Sequence, residues 1–434
     1  MRFGCEPAWL VTVACVLVTV PSPAVAQGSR CVLRIDAPTK ESIKVPGSQG
    51  DYTTYVGGGT VTLRCGDALM TGDSAVHFEK EERAQMIGNV VYRDTTRTLE
   101  ADRLTYLESS DQVISQGNVR LVRLTTGARL DGPQASFFRA AAANSRTIAT
   151  GRPRMTIPAE QPGGEAIVVD ADVAEFLGDD RAFARGDVVI RRSDFHATAD
   201  SSRFSQDEGR LYGDPVITAR GMSLSGDSVR TAFAEGELDL IHAQGNARAT
   251  GEDLELRAVE ILVDIGPEDV ERAWAFGEGR SLGATPRFVI AGDSIDFAFT
   301  GGDIDSVTSV GTARAFQLTD ARSPEAEFEE PETAIGMGAD WIEGDSIRGW
   351  FTAADSAHTE PGEPLMRRLL ARGAARSLFS ATRDSTTTAR RSRNYMRGEA
   401  IDIRFVAGEP EEVLAERAIG VFLEPASGEG GQAP

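Results

Sequence analysis

The chain has 434 residues, of which 66 are acidic and 45 basic, so its formal net charge is −21. A negative balance of this size argues against nucleic acid or an anionic surface as the main partner. The charges are spread along the sequence, and we interpret them as the solvated outer face of the fold.

The N-terminal stretch predicts an export signal. Leu10 to Val20 is apolar but too short to span a bilayer. Ala24-Val25-Ala26 is typical of a cleavage site after small residues. We therefore predict a signal peptide over residues 1–26, with an uncleaved membrane anchor as the alternative interpretation.

The cysteines predict one disulfide. Cys5 and Cys15 lie in the predicted signal, which leaves Cys31 and Cys65 in the exported part. A single pair in an exported chain favours a disulfide, which contributes about 3 kcal/mol in the chain-entropy model. A reactive thiol is the alternative, and it is disfavoured because no histidine or basic cluster lies nearby in the sequence.

The rest of the chain divides by composition. Alternation of apolar and polar residues, as in 293–299 and 400–405, predicts strands almost throughout. Only 139–145 and 268–275 are predicted to form a turn or two of helix. The predicted segments are a lead-in at 27–59, a β array at 60–318, an acidic linker at 319–336, further β repeats with polar insertions at 337–425, and a disordered tail at 426–434.

A two-part phrase recurs along the array, its parts separated by 14 to 19 residues within a unit. The first part is a small residue followed by an acid, at Ala101-Asp102, Ala171-Asp172, Ala199-Asp200, Gly226-Asp227, Gly292-Asp293 and Gly344-Asp345. The second is a glycine that opens another short run, at Gly88, Gly117, Gly186, Gly213, Gly245 and Gly311. Such repetition predicts small β units that cannot bury their faces alone. Function is then expected on a surface or groove along the array.

Each unit has one apolar and one charged face, because side chains alternate along a strand. This pattern predicts two stacked sheets over one elongated interior, with the glycines at the bends. The interior is either a closed core or a partly open lipid groove. Small residues at Ala174, Ser202, Ala247, Ala313 and Gly349 would leave room for acyl chains, or would fit a taper or a tight bend. The predicted groove residues are Leu104, Tyr106, Val119, Leu121, Phe137, Phe176, Val188, Ile190, Phe204, Val229, Phe233, Val263, Ile295, Phe297 and Phe299.

The segments Gly88–Tyr92, Leu99–Tyr106 and Ile114–Leu121 resemble the OstA-like family. This family includes the periplasmic bridge of lipopolysaccharide transport and the N-terminal domain of the outer-membrane translocon. The resemblance is clearest from Ala75 to about Leu124 and continues more weakly to about Leu318. It implies an elongated β-jellyroll folded like a taco, an apolar groove for acyl chains, and end-to-end stacking through open strand edges.

The sequence shows no catalytic constellation. The four histidines, His77, His196, His242 and His358, lack metal-ligand spacing, and no nucleophile elbow, P-loop or dinucleotide fingerprint is present. The repeated aspartates lack the dense pattern of calcium-binding β-rolls, which favours a role in turns. We therefore predict no enzyme activity, no cofactor and no metal; a polysaccharide lyase or hydrolase on a β-helix is the rival class.

These observations converge on an all-β protein of the periplasm, with an association with the outer membrane left open. The leading hypothesis is a lipid-binding bridge that shields the acyl chains of lipopolysaccharide, or of a related acylated lipid, during transport. The expected partners are that lipid and other OstA-like transport proteins joined by edge-strand stacking, with no nucleic acid. The alternative is a structural envelope scaffold with a closed core that binds no lipid.

Overall fold

A computed structural model describes residues 31–48, 50–139, 146–159, 164–178, 180–205, 207–318, 340–352, 365–381, 392–406 and 409–423. The predicted signal peptide, acidic linker and C-terminal tail lie outside these described residues.

The described protein is all β, as predicted, with one short 3-10 helix at Glu79–Glu81. The strands are β1 (Arg34–Asp36), β2 (Thr39–Lys44), β3 (Tyr52–Gly57), β4 (Val61–Cys65), β5 (Ala68–Gly72), β6 (Ser74–Phe78), β7 (Arg83–Arg93), β8 (Arg97–Leu107), β9 (Gln112–Arg123), β10 (Arg129–Phe138), β11 (Arg146–Thr150), β12 (Arg154–Ile157), β13 (Ile167–Asp170), β14 (Val173–Leu177), β15 (Arg181–Arg191), β16 (Phe195–Phe204), β17 (Glu208–Tyr212), β18 (Val216–Ala219), β19 (Met222–Ser225), β20 (Ser228–Ala234), β21 (Glu237–Thr250), β22 (Glu255–Ile265), β23 (Val270–Phe276), β24 (Ser281–Ala284), β25 (Phe288–Gly292), β26 (Ser294–Thr300), β27 (Asp303–Gln317), β28 (Asp340–Thr352), β29 (Leu365–Arg372), β30 (Arg376–Ala381), β31 (Ser392–Arg397), β32 (Ala400–Val406), β33 (Glu409–Glu416) and β34 (Ile419–Leu423).

All pairings are antiparallel, and the long strands bend in the middle. In β8, residues 97–100 and 103–107 pair separately with β9, with a register break between them. The same break divides the other long strands, so the sheet splits lengthwise into two half-sheets. The long bent strands contribute one part to each half-sheet; they are β7–β10, β15, β16, β21, β22, β27 and β28. The first half-sheet also contains the short strands β2, β3, β6, β11, β14, β17, β20, β23, β26, β29, β32 and β33. The second also contains β1, β4, β5, β12, β13, β18, β19, β24, β25, β30, β31 and β34.

The bends coincide with the recurring phrase. At Gly117 and Asn118 the backbone has φ of 75° and 45°, a left-handed pair that breaks the ladder as a β-bulge does. Asp102 faces this glycine from β8. Six further pairs repeat the geometry, at Gly88-Asn89, Gly186-Asp187, Gly213-Asp214, Gly245-Asn246, Gly311-Thr312 and Gly373-Ala374, opposite Asp73, Asp172, Asp200, Asp227, Asp293 and Asp345. We call this line of bends the crease.

The two half-sheets face each other across one hydrophobic core. The ring of Tyr92 on the second half-sheet lies 5.2 Å from that of Phe137 on the first. Most buried side chains form one cluster that runs from Val56 to Phe405, and Ala284, Val289 and Phe316 form a small second one. This arrangement is consistent with a β-jellyroll.

Gly349 lies in the interior at a position where the neighbouring side chains leave little space for a larger residue. A Cβ atom placed there would lie 3.1 Å from Cγ1 of Val307, with Leu369 and Met366 also in contact. The room for an acyl chain that the sequence suggested is therefore filled by neighbouring side chains at this position. The other four small residues, Ala174, Ser202, Ala247 and Ala313, are likewise buried.

The helical prediction for 268–275 is wrong, because Val270–Phe276 forms strand β23 between β22 and β26. Val270, Ala273 and Ala275 are buried there. Residues 140–145 lie outside the described part of the chain. The lead-in strands join the array, since β1 pairs with β4 and β3 with β6.

The late segment continues the same two half-sheets. Strand β28 pairs with β27 from Asp340 to Trp350. Strands β29, β32 and β33 then extend the first half-sheet, and β30, β31 and β34 extend the second.

Candidate functional site

Opposite the crease, the ends of the two half-sheets meet at their hairpin turns, along a line that we call the rim. Three arginines of the second half-sheet reach across it onto rings of the first. The guanidinium carbons of Arg97, Arg123 and Arg192 lie 4.5, 4.7 and 5.1 Å from the ring centroids of Phe137, Phe176 and Phe233 respectively. These cation–π contacts close the rim where they occur.

Arg97 is held in place by a carboxylate network at the end of its strand. Its Nε lies 3.4 Å from Oδ2 of Asp94, which also accepts a hydrogen bond from the hydroxyl of Tyr92 over 2.6 Å. Burial alone would raise the pKa of Asp94, but these hydrogen bonds and the Arg97 charge lower it. Burial, and then the hydrogen bond to Asp94, raise the pKa of Tyr92.

Arg192 and Arg123 are also held by hydrogen bonds. Arg192 donates from Nε and Nη2 to the two oxygens of Asp194 at 2.5 Å each, and from Nη1 to the carbonyl of Gly236 at 2.7 Å. This bidentate pair lowers the pKa of Asp194 against the opposing effect of burial. Arg123 donates to the carbonyl oxygen of Gly178.

Between Arg123 and Arg192 the interior opens into a cavity of about 650 Å³, which we call the rim cavity. Its volume lies within the range of small-molecule sites in proteins. The rings of Phe176, Phe204 and Phe233 line it together with Ile157, Ile167, Ala128 and Ala182. Its mouth carries the hydroxyl and charged side chains of Thr125, Thr126, Glu165, Asp180, Arg181 and Ser205.

The structure separates the fifteen predicted groove residues into two groups. Phe176, Phe204 and Phe233 line the rim cavity, and Phe299 lines a second rim cavity of about 280 Å³ beside Asp269 and Asp303. The others are at most 3% exposed and pack in the core: Leu104, Tyr106, Val119, Leu121, Phe137, Val188, Ile190, Val229, Val263, Ile295 and Phe297.

Sequence reasoning missed the rim arginines, because it placed arginines on the outer face. A signal was nevertheless present. Alternation along the strand places the side chain of Arg123 on the same face as those of Val119 and Leu121. It likewise places Arg192 on the face of Val188 and Ile190. An arginine in the next inward-facing position at the end of an apolar strand indicates a side chain that closes the interior.

Cys31 and Cys65 form a disulfide, with their Cα atoms 5.4 Å apart. The bond lies at the N-terminal end of the rim, where Cys65 ends β4 and Cys31 precedes β1. It therefore ties the lead-in segment to the second half-sheet.

The described ranges show neither a metal site nor a membrane-spanning helix. Histidine, cysteine, aspartate and glutamate side chains nowhere in them gather in threes in a way that could hold a metal ion. His77 and His242 each contact a single carboxylate, of Glu108 and Glu260, over 2.8 Å. The described part of the chain also contains no helix that is long and apolar enough to cross a membrane.

Comparison with protein-family models and with curated proteins found no match to this chain. The resemblance to the OstA-like family therefore rests on the repeated sequence phrase.

Proposed function

We propose that this protein is a non-enzymatic, lipid-binding bridge of the periplasm. In this proposal it shields acyl chains of lipopolysaccharide, or of a related acylated lipid, on the way to the outer membrane. The observation that carries the proposal is the rim cavity. It has a volume of about 650 Å³, three phenylalanine rings line its wall, and polar side chains lie at its mouth.

The chemistry of the cavity suits an acyl chain. Each methylene group transferred from water onto the rings of Phe176, Phe204 and Phe233 contributes about 0.8 kcal/mol. The hydroxyls and charges at the mouth leave the polar end of the same lipid in contact with water and hydrogen-bonding groups. Binding of this kind needs no catalytic group, and the direction of transport would come from partners.

The C-terminal strand edges support the proposed stacking with other transport proteins. Within the described residues, β33 pairs only with β32 and β34 only with β31, so each leaves one edge open. Ile419 is 75% exposed and Phe422 is 50% exposed. Open edges with exposed apolar side chains favour the addition of a partner strand.

One observation favours the alternative, a structural scaffold that binds no lipid. Thirteen of the fifteen predicted groove residues are no more than 4% exposed, so most of the interior is already filled by side chains. A lipid could enter such a core only where the rim opens.

Photo-crosslinking in cells that make lipopolysaccharide tests the proposal. A benzophenone side chain replaces Phe204, which lines the rim cavity, or Arg230, which lies on the exposed outer face of β20. We expect lipopolysaccharide adducts at position 204 and none at position 230. A second variant, Ala182→Phe, fills the cavity and should abolish the adduct at position 204.

The absence of adducts at position 204, in a protein that is folded and exported, would favour the scaffold. Adducts at both positions would indicate surface contact with lipid rather than a binding cavity.

A further inference from the structure

The two sulfurs of the Cys31–Cys65 disulfide have different access to solvent. Cys65 is fully buried, whereas Cys31 is partly exposed. An attacking thiolate therefore reaches Cys31 more readily than Cys65. In thiol–disulfide exchange, the sulfur that is not attacked leaves as a thiolate.

The buried sulfur lies against a cation from the opposite half-sheet. Nη1 of Arg139 contacts Sγ of Cys65, and Nη2 donates to the carbonyl oxygen of Cys65 over 2.7 Å. Sγ of Cys31 lies farther away, 3.8 Å from the same Nη1. The side chain of Arg139 is only 9% exposed, so water screens its charge little at this position.

Among the described residues, two phenols and two carboxylates lie around the bond and Arg139. The hydroxyl of Tyr106 lies 3.3 Å from Sγ of Cys65 and donates to Oδ1 of Asp111 over 2.9 Å. Tyr92 interacts with Arg139 as well. Asp111 and Asp67 lie 3.2 and 3.6 Å from Arg139 and hold the guanidinium beside the sulfur.

Sequence reasoning disfavoured a reactive cysteine, because no basic cluster was near either cysteine along the chain. The structure changes that expectation, since Arg139 is separated from Cys65 by 74 residues but touches its sulfur. A neighbouring arginine stabilises a thiolate relative to the thiol, and a more stable thiolate leaves faster.

We propose that the Cys31–Cys65 disulfide is a thiol-exchange site, attacked at Cys31 by the thiolate of a small or protein dithiol. The attacking sulfur forms a bond to Sγ of Cys31, and the Cys31–Cys65 bond breaks. Its electron pair stays on Sγ of Cys65, as a thiolate beside Arg139. The second thiolate of the dithiol then attacks its own sulfur in the mixed disulfide and releases Cys31. The dithiol ends oxidised to a disulfide and the protein reduced by two electrons.

Exchange would change the N-terminal end of the array. Strand β1 is held to β4 by only three residue pairs, Arg34–Asp36 with Thr62–Arg64. Leu33, Ile35 and Ala37 also pack against the core, so the disulfide is one of several tethers of this strand. With the disulfide open, β1 can separate more readily from the edge of β4, where a partner strand can pair.

The test uses the mature full-length protein and reduced glutathione as the thiol. Samples are quenched with iodoacetamide at intervals, and mass spectrometry identifies the modification of each cysteine. We expect glutathione on Cys31 and the alkyl group on Cys65. We also expect Arg139→Gln to slow reduction about tenfold, with Arg139→Lys close to the unmodified protein. The matched control is Arg64→Gln, which removes an exposed charge next to Cys65 in β4 and should leave the rate unchanged.

Glutathione found on Cys65 would overturn the proposal. So would an Arg139→Gln protein that is reduced as fast as the Arg64→Gln control. If Arg139→Gln does not fold, the position of glutathione on the unmodified protein decides between the outcomes. None of these outcomes depends on whether the rim cavity binds lipid.

Discussion

The side-chain amide of Asn118 donates a hydrogen bond to Oδ2 of Asp102 over 2.9 Å, across the point where β8 and β9 bend together. The same contact joins Asn89 to Asp73 over 2.8 Å, and Asn246 to Asp227 over 3.1 Å. The crease is therefore built from a repeated side-chain contact between neighbouring strands, and it can be tested one bend at a time.

Gly117→Ala should destabilise the protein by about 3 kcal/mol. Part of this loss arises because Gly117 has a left-handed backbone conformation, with φ of 75°. An alanine in that conformation is destabilised by about 1–2 kcal/mol. The rest is overpacking, because the new methyl group would lie 2.9 Å from Cβ of Asp102. Gly221→Ala is the matched control: φ is 74° and no atom lies within 4 Å, so only the backbone cost of about 1–2 kcal/mol is expected. Urea titration gives the free energy of unfolding of each variant. Equal decreases for the two variants would show that the contact with Asp102 does not contribute to the destabilisation.

Thr312→Asn should stabilise the protein by about 1 kcal/mol. Thr312 has φ of 44°, where a β-branched residue is strained and asparagine is tolerated. The new amide can also bond to Asp293, as Asn118 bonds to Asp102. The reciprocal change, Asn118→Thr, should lower stability by a similar amount. A thermal melt of each variant checks the pair, and a lower midpoint for Thr312→Asn would contradict the account of the crease.

Phe297→Ala and Phe204→Ala distinguish the closed core from the rim cavity. Phe297 is 1% exposed and lies in the core, so its truncation should cost about 4 kcal/mol. Phe204 already borders the rim cavity, so fewer contacts are lost and we expect about 2 kcal/mol. Free energies of unfolding from urea titration give the comparison. Equal losses would indicate that the space beside Phe204 is filled in solution.

Lowering the pH should weaken the ion pair between Asp194 and Arg192 at the rim, and so lower the free energy of unfolding. Its pKa is lower in the folded protein than in the unfolded chain, where it is about 3.9. The resulting stabilisation is present above that value and is lost as the pH falls through the folded pKa. Asp194→Asn should therefore cost about 2 kcal/mol at pH 7 and reduce the loss of stability as the pH falls below about 3.9. Unfolding curves from pH 7 to below about 3.9 test it, with the exposed Asp305→Asn in β27, away from the crease, as a control expected to change stability by less than about 0.5 kcal/mol.

The alternation of residues within a segment predicted its structure correctly where interactions within that segment decide the structure. Alternation placed Leu104 and Ile295 inside correctly, because a strand turns successive side chains to opposite faces. It failed at Val270–Phe276, where a turn or two of helix was expected. Pairing with strands on both sides decided that segment, and no single segment of sequence contains that information.

The sequence by itself determined the all-β fold, the apolar residues that face inward and the positions of six of the seven bends. These follow from side-chain parity and from glycines that adopt left-handed backbone angles, which are properties of a few neighbouring residues. Only the tertiary structure decided how the interior closes. Arg123 meets Phe176, and Arg139 meets Cys65, because strands far apart in sequence end side by side at the rim. The position of the cavity and the surroundings of the disulfide depend on those long-range contacts.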